Sequence, residues 1–433
     1  MSERRIKIDY LARVEGEGAL DIKVSDGKVE DVKLAIFEPP RLFEAFLVDR
    51  SYDELPDLTA RICGICPVAY QMSAVHAAEK AFGVKVGGSV RQLRRLFYCG
   101  EWIESHTLHI YMLAAPDFLG YDSIISMAKD FPEEVKRGLR LKRVGNEIVA
   151  TLGGREIHPI SACVGGFHKT PSQEALAPLA EKLRQAKQDA WDTVLWAGSL
   201  DAPDFTRDIE FVALSHPDEY PMNEGRLVSS RGLNVEQEEF EQYFQEYQVP
   251  HSNSLQSVAL GNRAYFVGPL ARVNLNFDRL SPVAQDAAHR SGVKFPNKNP
   301  FASIVGRAIE VLHCVDEALS IIESYKPPKK SIVDFKLRAG VGAAITEAPR
   351  GILYHRYRFD DQGLIREAKI VPPTAQNQRQ IEEDLREFVP TLLHLPQDEM
   401  TRRCEWEVRN YDPCISCSTH TLKVRINRDG EAR

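Results

Sequence analysis

Several features that mark other protein classes are missing from this 433-residue sequence. No run approaches the roughly 18 apolar residues that would span a bilayer. The start, MSERRIKIDY, changes into a strand pattern rather than an apolar signal-peptide core. With a net charge of −7 and a pI near 6.0, the chain has no basic stripe that would favour nucleic acid or an anionic membrane. We therefore expect a cytoplasmic protein with no membrane span and no nucleic-acid partner.

Cysteine is also sparse, with eight residues in the whole chain. That number is too small for a disulfide scaffold, and paired cysteines in a reducing compartment more often bind metals or carry out redox chemistry. Four of the eight form two Cys-x-x-Cys pairs, Cys63 with Cys66 in RICGICPVAYQ and Cys414 with Cys417 in DPCISC. No G-x-G-x-x-G motif follows a strand pattern, so the sequence lacks the usual signature of a dinucleotide-binding domain.

The hydrophobic pattern predicts a mainly α protein with smaller β regions (α+β), in which a core of long helices carries peripheral hairpins and sheets. Alternating apolar residues around Asp26-Gly27 predict a β-hairpin in a region of about 5–38, and a second hairpin is expected around Asp361 to Gly363. The helical patterns cover 67–82, 89–114, 172–197 and 300–324, and three further strand patterns are EIVATLGG (147–154), AYFVGPL (264–270) and IVDFKLRAG (332–340).

Neither repeats nor low-complexity segments divide the chain. We expect residues 1–420 to form one domain, although the length alone would allow two or three domains. The most polar stretch, about 215–257, is interpreted as a peripheral insertion, and KPPKK at 326–330 as a loop rather than a domain boundary.

The two cysteine pairs together supply the ligand set of a structural zinc site, which is the simplest interpretation of such pairs. Zinc ribbons usually keep their pairs within about 15–20 residues, whereas 348 positions separate Cys66 from Cys414. Closing so long a loop costs only logarithmically more free energy, so the spacing does not exclude zinc. Thiolates also bind copper(I), iron–sulfur clusters, or nickel and iron, and their softness alone does not choose among these metals.

An ordered set of motifs resembles the large, catalytic subunit of the nickel–iron hydrogenases. RICGIC near the N-terminus is paired with RNYDPCISCSTH near the C-terminus, and the similarity runs from about residue 8 to 420. The motifs between the two pairs or before them are RVEGEG (13–18), RLFE (41–44), SHTLHIYMLAAPDFLG (105–120), GGREIHP (153–159), VGPLARVN (267–274), EAPRGILYH (347–355) and PPTAQN (372–377).

The resemblance implies a nickel–iron centre on the four cysteines. Cys63 and Cys414 would be terminal thiolates on nickel, while Cys66 and Cys417 would bridge nickel to an iron that also carries CO and cyanide. Heterolytic cleavage of dihydrogen needs a Lewis acid and a nearby base, and a terminal thiolate can be that base.

Further residues around this centre are assigned by similarity. Glu15 matches the glutamate that relays the proton from Cys414. Arg350, next to Pro349, matches the arginine held over the open metal position, with Asp412 to orient it. Thr374 matches a hydroxyl on the second cyanide.

The resemblance also implies a third metal site and a processed C-terminus. Glu44 and His420 match a site that usually holds magnesium, for which hard ligands are suitable. In this family an endopeptidase usually cuts after the histidine, so 421–433 is interpreted as a maturation tail; a disordered C-terminus is the alternative.

Such a subunit would need partners, because the chain lacks further cysteine clusters for iron–sulfur centres. The resemblance implies a small subunit that carries iron–sulfur clusters, and diaphorase-type flavin and iron–sulfur subunits that pass electrons to NAD(P) or polysulfide. The substrate would be dihydrogen or protons. Two alternatives remain open: a nickel-free hydrogenase-like subunit of a respiratory quinone module, and a zinc-stapled interaction protein.

The sequence departs from the family pattern at two positions. Tyr70 replaces a histidine that donates to a bridging sulfur, and Ser105 stands where several relatives place an aspartate above the metals. The remaining candidates are expected to be structural: packed histidines at 106, 109, 158 and 168, and small buried hydrophobes at Cys99, Cys163, Cys314 and Cys404.

Overall fold

Long helices dominate the computed structural model, which describes residues 3–419. The prediction of a mainly α protein with smaller β regions is confirmed. The helices are α1 (Phe43–Leu47), α2 (Leu55–Ala60), α3 (Pro67–Phe82), α4 (Gly88–Leu108), α5 (Ala115–Leu119), α6 (Ile124–Met127), α7 (Pro132–Gly153), α8 (Gln173–Ser199), α9 (Phe240–Tyr243), α10 (Pro269–Asn276), α11 (Pro282–Arg290), α12 (Ser303–Ser324), α13 (Pro373–Leu392), α14 (Gln397–Asn410) and α15 (Ile415–Ser418).

Small antiparallel sheets surround the helices. The sheet orders are β1-β2-β3, β4-β5, β6-β7-β8, β9-β10 and β11-β12-β13 within the described residues. The strands are β1 (Glu3–Ile8), β2 (Gly18–Ser25), β3 (Lys28–Ile36), β4 (Ala162–Cys163), β5 (Gly166–Phe167), β6 (Val212–Ser215), β7 (Arg226–Ser229), β8 (Asn234–Val235), β9 (Phe244–Gln248), β10 (Leu255–Ala259), β11 (Gly340–Ala348), β12 (Gly351–Phe359) and β13 (Ile365–Val371).

The predicted hairpins are confirmed. Leu20 pairs with Leu34 and Ile22 with Val32 across β2 and β3. The turn residues Asp26 and Gly27 have φ values of 50° and 75°. A turn with positive φ at both central residues matches the twist of the flanking strands, which explains why an Asp-Gly pair occurs there. The second hairpin joins β12 to β13 around the predicted turn at 361–363.

The predicted helices are also present. Pro67 is the first residue of α3, and Gly83 ends it with a φ of 73°. The pattern at 89–114 corresponds to α4, which continues as a π-helix over His109–Ala114. Helices α8 and α12 correspond to the other two patterns. Helix α4 packs against α7 and α12, and α12 packs against α8, so these four helices enclose the largest core.

Three strand predictions are wrong. EIVATLGG forms the last turns of α7, and IVDFKLRAG forms no strand before Gly340. In AYFVGPL, Phe266 makes one isolated bridge to Phe211 before α10 begins at Pro269. A short apolar run fits a buried helix segment as well as a strand, and here the packing of α7 against α4 decides for the helix.

The polar stretch at 215–257 contains β7, β8 and β9 and the start of β10. Its aromatic residues Phe240 and Phe244 are buried in a separate apolar cluster with Ile345 and Tyr354. Within residues 3–419, no helix combines the length and the apolar character needed to cross a bilayer.

Candidate metal centre

The two cysteine pairs meet in the interior. The Sγ atoms of Cys63 and Cys414 are 3.4 Å apart, those of Cys66 and Cys417 are 3.6 Å apart, and those of Cys414 and Cys417 are 3.0 Å apart. All four sulfurs lie within 4.8 Å of one another, and all four residues are buried. Segments from opposite ends of the chain therefore form one thiol cluster.

Local structure directs the first pair towards this cluster. Cys66 is the residue before α3, and its backbone N–H and that of Ile65 donate to the Cys63 Sγ at 3.3 Å. The carboxylate of Glu101 accepts from the Val68 and Ala69 N–H groups at 2.6 and 3.1 Å. Glu101 thereby supplies a cap that Cys66 does not provide, and it fixes the start of the helix.

Glu15 contacts the second pair. Its Oε2 lies 3.1 Å from the Cys414 Sγ and accepts from the Ser416 N–H at 3.0 Å. The Ile415 N–H donates to the Glu15 carbonyl at 2.9 Å, which pairs the two segments as a short parallel bridge. The Ser416 hydroxyl donates in turn to Glu38 Oε2 at 3.2 Å. Polar groups thus extend from Cys414 to a half-buried carboxylate.

Arg350 lies against the same cluster and is 2% exposed. Its Nε donates to the Asp412 carbonyl at 2.7 Å, its Nη2 to Asp412 Oδ1 at 3.0 Å, and its Nη1 to Ser105 Oγ at 3.5 Å. Burial disfavours the charged form of Arg350, but the electrostatic attraction of Asp412 and the nearby cysteines outweighs this effect and raises the pKa of Arg350 well above its ordinary value. Burial likewise opposes the Asp412 charge, yet Arg350 lowers the pKa of that carboxyl.

Two other predicted residues lie near the cysteine segments. Thr374, in the first turn of α13, accepts the Cys414 N–H through its Oγ1 at 3.0 Å. Tyr70 is fully buried, and burial, with Cys417 and Cys66 nearby, raises the pKa of its hydroxyl well above the ordinary value. The tyrosine therefore stays neutral beside the sulfurs.

The residues of the predicted magnesium site are described only in part. Glu44 Oε1 accepts the Ile370 N–H at 2.7 Å. His420 lies outside the described residues, as does the predicted tail at 421–433. The last described residue, Thr419, accepts the Arg41 N–H at 2.7 Å.

Arg41 was not predicted from the sequence as a site residue, yet it joins the two cysteine segments. Its Nη2 donates to the Ile62 carbonyl at 2.7 Å and also to the Ser416 carbonyl. One guanidinium therefore joins the residue before Cys63 to one of the two residues between Cys414 and Cys417. The local sequence contains no signal for this contact, because both acceptors are backbone atoms.

The histidine predictions are confirmed for three of four positions. His106 Nε2 lies 2.8 Å from Glu310, His109 Nε2 lies 2.7 Å from the Arg409 carbonyl, and His158 Nδ1 lies 2.7 Å from the Ala60 carbonyl. Burial lowers the pKa of His106 to about 4 and that of His109 to about 3. The prediction is wrong for His168, which is exposed because it lies on the surface loop after β5. Cys99, Cys163, Cys314 and Cys404 are buried as predicted.

A second group with metal-ligand atoms lies in the polar stretch and consists of His216, Glu219 and Glu224. Arg91 donates to both glutamates, at 2.7 and 2.9 Å from its Nη2, and Arg95 also pairs with Glu219. These carboxylates are already neutralised by guanidinium groups, so the group is not a strong cation site.

The chain is similar in sequence to known metalloenzymes. The nickel-dependent hydrogenase family matches residues 41–137 and 255–420. The alpha subunits of sulfhydrogenase 1 and sulfhydrogenase 2 from Pyrococcus furiosus are 34% and 35% identical to this chain. Each alignment covers 97% of this chain, and they cover 98% and 100% of the two relatives. The chain belongs to the nickel-dependent hydrogenase family. It is a large, catalytic hydrogenase subunit, part of an oxidoreductase that acts on dihydrogen.

A solved structure agrees with this assignment. An NAD+-reducing NiFe hydrogenase in the H2-reduced state superimposes on the chain with a TM-score of 0.85 at 27% sequence identity. The superposition covers 96% of this chain and 99% of that one. The similarity therefore spans the long-helix core and both cysteine segments of this hydrogenase subunit.

The cluster fits the nickel–iron site of the hydrogenase family. Four thiols are the soft donors that nickel and iron accept, and Cys417 raises the pKa of the neighbouring Cys414 thiol well above its ordinary value. Four thiolates this close repel one another, so a fully ionised set is stable only around cations. The cysteine quartet is positioned for such a site.

Proposed function

We propose that the four cysteines hold a nickel–iron centre whose iron also carries CO and cyanide. Cys63 and Cys414 would bind nickel as terminal thiolates, and Cys66 and Cys417 would bridge the two metals. When bound, this group would supply the Lewis acid for heterolytic cleavage of dihydrogen into a proton and a hydride equivalent, which overall yields two protons and two electrons for the iron–sulfur partner. The observation that carries the proposal is the convergence of four buried sulfurs within 4.8 Å.

The chain itself then has to accept and remove a proton. The Cys414 sulfur takes the proton, and the Glu15 carboxylate, at 3.1 Å, receives it next. Ser416 holds Glu15 in place through its backbone N–H and links it to Glu38 through its hydroxyl. Glu38 is half-buried, so it provides an exit from the dry interior towards solvent.

Arg350 is proposed to face the open side of the centre. Asp412 orients its guanidinium by two hydrogen bonds, and the neighbouring Pro349 restricts the turn that carries it. A buried cation there stabilises negative charge that develops during the reaction, and its free donors suit a cyanide ligand. Thr374 accepts from Cys414 and keeps its own O–H available for the second cyanide.

A magnesium ion is proposed near Glu44 and His420, where it would tie the end of the mature chain to the core. The position of Arg41 supports this. Arg41 precedes Glu44 by three positions, and its backbone N–H donates to the carbonyl of Thr419, the residue before His420. We further propose that a maturation endopeptidase removes residues 421–433. Intact-mass measurement tests this step: the active subunit should end at His420, and a fully active chain that ends at Arg433 would contradict it.

Electrons are proposed to leave through a small subunit with iron–sulfur clusters. Gly64, in the loop between Cys63 and Cys66, is exposed, and a Cβ at that position would lie 3.9 Å from the side chain of Ile157, which is 58% exposed. An exposed apolar side chain therefore lies beside the metal-binding loop. A surface with such a side chain suits a partner that has to approach the centre closely to accept electrons.

The final acceptor is proposed to be NAD(P) or polysulfide, reached through diaphorase-type flavin and iron–sulfur subunits in the cytoplasm. Similar proteins support this proposal, because two of them are sulfhydrogenase subunits and one is an NAD+-reducing hydrogenase. The absence of a G-x-G-x-x-G motif after a strand in this sequence is consistent with nucleotide binding on another subunit.

Metal analysis tests the proposed centre. We expect about one nickel and one iron per chain in the purified complex, because four thiolates suit a pair of soft ions. Cys66→Ser should lose both metals, whereas Cys99→Ser, at a buried cysteine outside the cluster, should keep them. Zinc alone in the cluster, or no metal at all, would contradict the proposed nickel–iron centre.

A further inference from the structure

One buried charged cluster is not used by the proposed mechanism. Arg272, which is fully buried, donates to both carboxylate oxygens of Glu310, at 2.7 and 2.8 Å, and to Glu347 at 2.9 Å. Its remaining donors reach the backbone carbonyls of Ala348 and Pro349, both at 2.9 Å. All five N–H groups of this guanidinium therefore have an acceptor.

The two carbonyl acceptors immediately precede Arg350. Strand β11 ends at Ala348 and β12 begins at Gly351, so Pro349 and Arg350 form the whole two-residue turn of a hairpin. Trp102 holds the same segment from another side, since its Nε1 donates to the Glu347 carbonyl at 3.1 Å. Three successive carbonyls before Arg350 are thus fixed by buried side chains.

Close packing restricts the turn as well. Gly268 is the residue before α10, and a Cβ at that position would lie 3.0 Å from the Arg350 carbonyl. Gly351 has a φ of 133°, and a Cβ there would lie 2.5 Å from Val267. Arg272 lies one turn into α10, and its N–H donates to the Gly268 carbonyl. Helix α10 therefore forms the wall of the turn and also carries the side chain that anchors it.

The aromatic and acidic partners keep Arg272 charged and immobile. Its guanidinium lies 4.2 Å from the centre of the Trp102 ring. Glu310 also accepts from the Tyr220 hydroxyl at 2.7 Å and lies 2.8 Å from His106 Nε2. A network with so many satisfied partners is rigid.

We propose that Arg272 is a positioning residue for Arg350: by binding the Ala348 and Pro349 carbonyls, it holds the hairpin turn that presents the Arg350 guanidinium to the metal centre. The inference rests on the proposed function of Arg350. Lysine in place of Arg272 keeps the charge and can still pair with Glu310, but its single nitrogen cannot span Glu310, Glu347 and both carbonyls. The turn then loses its anchor while the buried charge remains.

The test compares Arg272→Lys with Arg94→Lys in the complete enzyme. Arg94 is an equally buried arginine in a bidentate pair with Glu79, at 2.9 and 2.5 Å, and within residues 3–419 it forms no hydrogen bond with the turn at 349–350. In Arg272→Lys we expect nickel and iron to stay bound, turnover to fall about tenfold or more, and the infrared cyanide bands to move in the same direction as in Arg350→Lys. Arg94→Lys should leave the bands in place.

Two further measurements separate the possible outcomes. A crystal structure of metal-free Arg272→Lys should show the Arg350 guanidinium displaced from Asp412. Trp102→Phe removes the donor to the Glu347 carbonyl but keeps an aromatic ring beside Arg272, so it should shift the bands less. The positioning role would be overturned if neither the cyanide bands nor Arg350 moved in Arg272→Lys. It would also be overturned if Arg272→Lys lost its metals while Arg94→Lys kept them. If Arg350→Lys itself left the bands unchanged, the proposed function of Arg350 would fail instead.

Discussion

Replacing Glu15 with glutamine is expected to lower dihydrogen oxidation by about 10²- to 10⁴-fold, the usual contribution of a positioned acid–base group. The amide oxygen of glutamine can still accept the Ser416 N–H, so the loop and its bound metals should remain in place. The amide cannot take a proton from the Cys414 sulfur, however. Three quantities should be measured: the rate of exchange between dihydrogen and D2O, the rate of dye reduction, and the metal content. Both rates should fall strongly, while nickel and iron are retained.

Glu17→Gln is the matched control for this prediction. Glu17 lies in the same RVEGEG motif, but it is exposed, and in the described part of the chain its side chain forms no hydrogen bond with the cysteines. It should exchange at the unmodified rate, whereas Glu15→Asp, with a shorter carboxylate, should recover part of the activity. Undiminished exchange in Glu15→Gln would rule out the proposed relay.

Replacing Arg350 with lysine is expected to lower turnover by about 10²- to 10³-fold, the cost typical of losing one preorganised charge-stabilising donor. Lysine keeps the positive charge, but it cannot bind the carbonyl and the carboxylate of Asp412 and reach Ser105 at the same time. The cation therefore loses its fixed direction. Steady-state kinetics at saturating dihydrogen, together with nickel and iron content, measure this effect.

Arg358→Lys provides the control, because Arg358 lies on β12, the strand that follows the turn with Arg350, and its partly exposed side chain pairs with Glu367. Its replacement should leave turnover within error of the unmodified enzyme. If Arg350→Lys retained both metals and full turnover, the proposed function of the arginine over the centre would be wrong.

Much of the fold could be predicted because local patterns carry it. The Asp26-Gly27 turn requires positive φ values, and Pro67 and Gly83 bound a helix in the way that their backbone preferences dictate. The residues of EIVATLGG were misjudged because a short apolar run has no clear period, and only packing against α4 shows that they are helical.

The cysteine cluster could be predicted from the sequence, but the arginines that support it could not. The cysteine pairs and the ordered motifs led to one metal centre, and the structure brings the four sulfurs together. The spacing along the chain could not reveal Arg41 or Arg272, because each binds backbone carbonyls from distant segments. Side chains that hold a turn or join two loops leave no pattern in the sequence around their acceptors.

An infrared spectrum of the purified enzyme tests the central claim most directly. If the four sulfurs at the ends of the chain hold nickel and iron together, the spectrum should contain stretching bands of metal-bound CO and cyanide, and Cys414→Ser should abolish them while Cys404→Ser keeps them. A spectrum without these bands, from an enzyme with a full complement of bound metal, would contradict the account.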